Sequence, residues 1–172
     1  MADGPLSRRA RFFLPELIYG ANDGIVTTFA VVAGVEGANL SAQIILILGF
    51  ANLFADGVSM GASNVLSLRS RDANRPTLAE ALPFGAATFA GFLVAGLIPL
   101  AAYLVPVYAD HRFTYAVLLA GGTLFAVGAS RSLLIDRRWY AAGLEMLAIG
   151  ALAGAIAYGV GVLGAYLMNG GV

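Results

Sequence analysis

Polar residues recur every four positions in an otherwise apolar stretch between residues 41 and 68. Positions i, i+4, i+8 and i+12 share one face of a helix, and here they hold Asn52, Asp56, Met60 and Asn64. Oxygen ligands alone suit Mg²⁺, Ca²⁺ or Mn²⁺, and an added thioether shifts preference towards later or softer transition metals. The pattern therefore indicates a cation site. The alternative is a hydrogen-bonding seam between helices, with Met60 as ordinary packing, but this explains the charge of Asp56 poorly.

A second carboxylate lies inside the apolar stretch "LIYGANDGIVTTFAVVAGV", residues 17–35. An acid at mid-membrane depth costs several kcal/mol, so Asp23 should face protein, water or an ion. Asn22 and Thr27 are neighbouring oxygen donors. The alternative is an interfacial residue near a helix end.

Other polar residues are weaker candidates. Glu145 could carry a proton or bind metal, or it could pair with one of the arginines that precede it. Glu80 and Glu16 lie near predicted helix starts, where an acid is favourable in the first turn. His111 is expected to be solvated in a loop. Glu145, Thr27 and Glu80 are therefore secondary candidates for the pathway of metal or protons.

The elements that would position these residues are five apolar segments. Hydrophobic residues make up 59% of the 172 residues and charged ones 12%, against about a quarter in soluble proteins. A membrane core of about 30 Å needs about 20 helical residues. We predict an all-α integral membrane protein, a single transmembrane domain over residues 1–172 with helices at about 16–35, 41–68, 78–105, 114–135 and 139–168. Small residues at four-residue spacing should pack these helices closely, within one bundle or between two copies.

The arginines indicate an orientation. In a five-helix topology only Arg112 falls on one side, and the other side carries Arg8, Arg9, Arg11, Arg69, Arg71, Arg75, Arg131, Arg137 and Arg138. Positive residues favour the cytoplasmic side. We therefore predict a cytoplasmic N-terminus, retained rather than cleaved as part of a signal peptide, and a C-terminus outside.

Composition excludes several kinds of function. The chain has no lysine, so it lacks a phosphate-binding loop of the G-x-x-x-x-G-K-[ST] type, and no cysteine, so it lacks thiolate metal sites. A formal net charge of zero gives no case for a nucleic-acid partner. No H-E-x-x-H motif is present, and no Ser/His/Asp set is expected at membrane depth. We predict a non-enzymatic protein of the lipid bilayer.

Two stretches resemble the vacuolar iron transporter family, which includes the yeast vacuolar calcium-cross-complementer proteins and the plant nodulin-21-like transporters. They are "YGANDGIVTTFAVVAGVEGA" and "LGFANLFADGVSMGASNVLS". The likeness continues in "FLVAGLIPLAAYLVP" and "LEMLAIGALAGAIAYGVG" and so covers nearly the whole chain. The N-D-G-[IV]-[VT]-T and S-M-G motifs, each on a membrane helix and in this order, carry most of the specificity.

The resemblance implies a homodimer that moves Fe²⁺ or Mn²⁺ out of the cytoplasm in exchange for protons, with the metal as substrate and no cofactor. It places the pathway at the dimer interface, lined by the first and second helices, and matches the family's aspartate and methionine to Asp23 and Met60. With this resemblance, we predict that Asp23 is alternately protonated and metal-bound. The host would be a bacterial cytoplasmic membrane or a vacuole-type membrane.

The chain departs from the family in two ways. Some members have a glutamate where Asn52 stands, and here a carboxylate follows one turn later as Asp56. The connector "RSRDANRPT" replaces a helical, glutamate-rich metal-binding domain, which leaves metal capture and metal choice open. The alternatives are a transporter of the same fold with another substrate, or a non-transporting helix bundle.

Overall fold

The computed structural model describes residues 5–71 and 76–168. Its long helices are α1 (Pro5–Gly37), α2 (Ala42–Arg71), α3 (Leu78–Leu104), α4 (Arg112–Ser130) and α5 (Trp139–Met168). Two 3₁₀ segments, Pro106–His111 and Arg131–Leu133, precede and follow α4. All five helices are long and apolar enough to cross a membrane. The prediction of an all-helical membrane protein with five such helices is confirmed.

Two helix boundaries differ from the predicted ranges. Helix α1 begins at Pro5 and continues through Pro15, because the rings of Phe12 and Phe13 pack on Phe84 of α3 at centroid distances of 5.1 and 5.2 Å. Helix α4 ends at Ser130 rather than near residue 135. There the hydroxyl of Ser130 donates to the carbonyl of Val127 at 2.6 Å. Hydroxyl bonds of this kind compete with the helical pattern and favour its end.

Glycines bring α1 and α3 into backbone contact. A Cβ on Gly24 would collide with the carbonyl oxygen of Phe92, and a Cβ on Gly20 with that of Thr88. Only a residue without a side chain allows two helices to approach so closely. The segment "NDG" therefore serves packing, since Gly24 fixes α1 against α3 next to Asp23.

Small residues in the other helices also pack inside the bundle. Gly57 of α2 lies on the ring of Phe89, and Gly61 lies on the carbonyl of Gly85, both in α3. In α5, a Cβ on Gly150 would meet Leu124 and one on Gly154 would meet Phe29. The structure thus assigns both glycine pairs to internal contacts, whereas Gly159 faces open space.

The two ends of the bundle differ in charge. One end, called here the arginine-rich end, carries Arg69 and Arg71 at the end of α2 and the residues 131–138 between α4 and α5. Arg75 lies outside the described residues. At the opposite end, the hydroxyl of Tyr103 donates to Glu36 Oε2 at 3.2 Å, and Arg112 begins α4.

Candidate functional site

Two neighbouring helices, α1 and α2, carry two of the predicted carboxylates. Asp23 on α1 is partly buried and Asp56 on α2 is exposed on the protomer. Asn52 and Met60, one turn to either side of Asp56, are partly buried. Two acids and a thioether from adjacent helices can offer hard and soft donors to one cation.

A cleft of about 540 Å³ lies between α1 and α2 and opens at the arginine-rich end. It is lined by Met60 and Asn64 of α2 and by Glu16 and Tyr19 of α1, with Arg71 at its rim. We call it the α1–α2 cleft. It joins the end of the bundle to the membrane depth of Met60, so an ion could reach Met60 from this end.

Glu16 is a polar residue of the cleft that sequence reasoning missed. The expectation of a first-turn acid is wrong, because α1 begins at Pro5 and Glu16 lies well inside it. Its Oε2 is buried and has no hydrogen-bond partner in the described part of the chain. An unpartnered buried carboxylate oxygen is costly, which fits a place for a passing cation. The available signal was its spacing: Glu16 lies two helical turns before Asp23 and therefore on the same face.

Two other polar residues have local partners. Asn64 Nδ2 donates to Thr88 Oγ1 of α3 at 2.5 Å. Asn64 is the last of the four residues at i, i+4 spacing on α2, called here the polar stripe, so this end of the stripe forms part of a hydrogen-bonded seam between α2 and α3. The hydroxyl of Thr27 donates to the backbone carbonyl of Asp23 at 2.8 Å. Their geometry is explained by packing and by helix hydrogen bonding, and neither needs a metal.

Asn22 lies in a different cavity from the cleft. It lines a crevice of about 400 Å³ between α1 and the start of α5, together with Arg131, Glu145 and Ile149. We call it the α1–α5 crevice. A step of one residue turns a helix by about 100°, so adjacent residues Asn22 and Asp23 are directed to different neighbours.

Glu145 is held by arginines at the mouth of this crevice. Its Oε2 lies 3.0 Å from Arg137 NH1 and 3.9 Å from Arg131 NH1. The ion pair accounts for Glu145 at a partly exposed position and favours that interpretation over a metal ligand. Exposed pairs of this kind contribute little to stability.

Glu80 caps the start of α3. Its Oε2 accepts a hydrogen bond from the backbone N–H of Thr77 at 2.8 Å, and its own N–H donates to Thr77 Oγ1 at 3.3 Å. This is a capping box. The role of a first-turn acid explains Glu80 fully.

One protomer supplies an incomplete coordination shell. Within residues 5–71 and 76–168, no three acidic or histidine side chains converge on one point. Asp23, Asp56 and Met60 are fewer donors than the six that hard divalent cations usually take. A cation held by these three residues would need further ligands from water or from a second copy of the chain.

Comparison with known proteins places this arrangement in a family. A model of the VIT family matches residues 14–82 and 71–162, which include most of α1, all of α2, α3 and α4, and most of α5. The chain is 46% identical over 54 residues to a vacuolar iron transporter of Plasmodium berghei, a match that covers 31% of this chain and 20% of the relative. It is 39% identical over 57 residues to vacuolar iron transporter 1 of Arabidopsis thaliana, covering 33% and 23%.

These curated relatives are matched over about a fifth of their own length, whereas the family model covers most of this chain. The family predicted from the N-D-G and S-M-G segments is confirmed. The chain belongs to the VIT family.

Proposed function

We propose that the protein exports a divalent transition metal, Fe²⁺ or Mn²⁺, from the cytoplasm in exchange for protons. The observation that carries the proposal is that two helices able to cross a membrane each carry an acid within their span, Asp23 in α1 and Asp56 in α2, with Met60 one turn after Asp56. Buried acids at membrane depth are expensive and typically mark an ion pathway. The relatives that are named vacuolar iron transporters support metal transport as the general activity.

Protons are the energy source that best fits this chain. Moving a divalent cation outward against an inside-negative potential costs roughly 4.6 kcal/mol per 100 mV. The sequence has no lysine with which to build a phosphate-binding loop. A carboxylate that releases a proton when metal arrives couples the two flows directly, because the cation replaces the proton as the partner of its charge.

A homodimer completes the site in this proposal. Asp56 and Ser59 are exposed on the protomer within the membrane-spanning part of α2, and an acid facing lipid is unfavourable. A second copy placed on this face would cover Asp56 and add its own Asp23, Asp56 and Met60 to the pathway. A monomeric mass in mild detergent would contradict this arrangement.

We expect the arginine-rich end to face the cytoplasm. A single cysteine replacing Asp136, between α4 and α5, should react with a membrane-impermeant maleimide from the cytoplasmic side. A cysteine replacing Val107, which is exposed at the opposite end, should react only from outside. The reverse pattern would overturn the orientation and, with it, the direction of export.

Met60 sets metal preference in this proposal. Met60→Leu keeps the volume and apolar character but removes the sulfur, so binding of Fe²⁺ should weaken roughly tenfold relative to Mg²⁺ or Ca²⁺. The control is Met168→Leu, a highly exposed methionine at the end of α5, which should change nothing. Calorimetric titration of the purified variants measures the effect. If the preference is unchanged in Met60→Leu, the methionine only packs.

The test of the function is a flux assay in proteoliposomes. Fe²⁺ or Mn²⁺ uptake and internal pH are followed together, with Mg²⁺ and Ca²⁺ as comparison ions. Metal movement accompanied by opposite proton movement supports the proposal. Movement of another ion alone would indicate a different substrate on the same fold. If no ion moved, the polar stripe would serve only to hold helices together, as Asn64 does through its hydrogen bond to Thr88.

A further inference from the structure

The α1–α5 crevice ends at a polar atom that the protein leaves without a partner. Asn22 Oδ1 is buried and accepts no hydrogen bond from the residues that the structure describes. Burying an amide oxygen without a donor is costly. A crevice of about 400 Å³ has room for several water molecules, each of which occupies about 30 Å³ in the liquid. Water in the crevice would supply the missing donor.

The charges at its mouth distinguish this crevice from the α1–α2 cleft. Arg131 and Arg137 surround Glu145 and neutralise it, so the opening is positive on balance. The cleft carries Glu16, whose Oε2 is unpartnered in the described residues, together with Arg71 at its rim, so the two charges of its lining cancel. A positive opening repels a divalent cation with twice the energy with which it repels a proton, whereas the cleft offers a cation a carboxylate. Water is uncharged, and a proton can pass along hydrogen-bonded water.

The two cavities lie on either side of the same part of α1. Pro15 and Tyr19 line both of them. Tyr19 is 61% exposed on the protomer and lies one turn before Asp23. The crevice reaches Asn22, which is bonded covalently to Asp23, and the cleft reaches Met60. Two separate openings therefore flank α1, and they lead to residues next to the two predicted acids: Asn22 precedes Asp23, and Met60 lies one turn after Asp56.

We propose that the α1–α5 crevice is a second aqueous opening at the arginine-rich end, which admits water and protons and excludes divalent cations. Metal and protons then use different openings on the same side of the membrane. The inference rests on the proposed metal–proton exchange for its role in transport. The claim that the crevice contains water and has a positively charged opening does not depend on that exchange.

The first test measures water and charge in the crevice. The chain has no cysteine, so Ile149→Cys places one thiol on the crevice lining. Ile156→Cys, two turns further along α5, is the matched control, because Ile149 and Ile156 are 49% and 59% exposed and only Ile149 lines the crevice. Thiols react as thiolates and need water. The thiol of Ile149→Cys should react at least roughly tenfold faster than that of Ile156→Cys. At Ile149→Cys, an anionic methanethiosulfonate should also react roughly tenfold faster than a cationic one. Equal rates at both positions, or faster reaction with the cation, would overturn the proposal.

The second test blocks the crevice in a protein that is already folded. A bulky methanethiosulfonate attached to Ile149→Cys in proteoliposomes should reduce metal-driven proton movement roughly tenfold or more, and a reducing agent should restore it. Mn²⁺ affinity, measured by calorimetry on the same sample, should stay within about twofold. Unchanged proton movement, or loss of Mn²⁺ binding, would overturn the proposal. If unmodified protein exchanges no protons for metal, the proposed function fails, and the reaction rates still decide whether the crevice is aqueous.

Discussion

The Asp23→Asn variant should fold and bind its partner copy yet lose metal-driven proton movement. The amide has nearly the same shape and keeps hydrogen bonding, but it cannot exchange a proton for a cation. Loss of one charged partner from a partly buried site costs about 3 kcal/mol or more, so metal binding should weaken roughly a hundredfold. Metal uptake and internal pH, followed together in proteoliposomes, measure both effects.

Two variants make this experiment specific. Asp23→Glu keeps a titrating group at a shifted position and should retain part of the proton movement. Asp56→Asn removes a charge from α2 and should weaken the binding of every divalent ion. If Asp23→Asn carried metal with normal proton counterflow, the carboxylate of Asp23 would be structural, and the coupling group would have to be sought at Asp56 or Glu145.

The second large effect is expected on stability. In Gly24→Ala the new methyl group meets the backbone of Phe92, and backbone atoms cannot rotate away as a flexible side chain can. Overpacking usually costs 1–3 kcal/mol, and a collision with backbone should cost about 3 kcal/mol or more. We expect a strong loss of thermal stability in detergent, monitored by the fraction of protein that stays monodisperse after heating.

Gly122→Ala is the matched control for this prediction. Gly122 lies in α4, and a Cβ added there meets nothing within 4 Å. The substitution also favours the helix, since glycine is the weaker helix former by about 1 kcal/mol. Its stability should therefore be unchanged or slightly higher. Equal behaviour of the two alanine variants would show that α1 and α3 can separate at Gly24 without cost.

The number and approximate position of the helices could be predicted because membrane thickness imposes a minimum length of apolar sequence. The start of α1 could not be predicted, because Pro15 suggests a helix boundary near residue 15. The contact of Phe12 and Phe13 with Phe84 joins residues far apart in the chain. Pro15 also places Glu16 at a predicted helix start. Its position in the α1–α2 cleft becomes visible only once α1 is known to begin at Pro5.

The sequence also could not predict which helices pack against each other. In a membrane bundle, the residues that face lipid are as apolar as those that face another helix, so periodicity gives weak guidance. The i, i+4 stripe correctly grouped Asp56 and Met60 on one side of α2. It could not indicate that Asn64 would bond to Thr88, or that Asn22 would turn away from Asp23 towards α5.

The glycine contacts have a consequence for how a transport cycle could work. Backbone lies directly against backbone where α1 meets α3 at Gly24 and where α2 meets α3 at Gly61, and close-packed surfaces of this kind resist sliding and bending. These three helices should therefore move as one rigid body. In the proposed homodimer, alternating exposure of the site to the two sides would then arise from rocking of one protomer against its copy, with the change of shape concentrated between subunits.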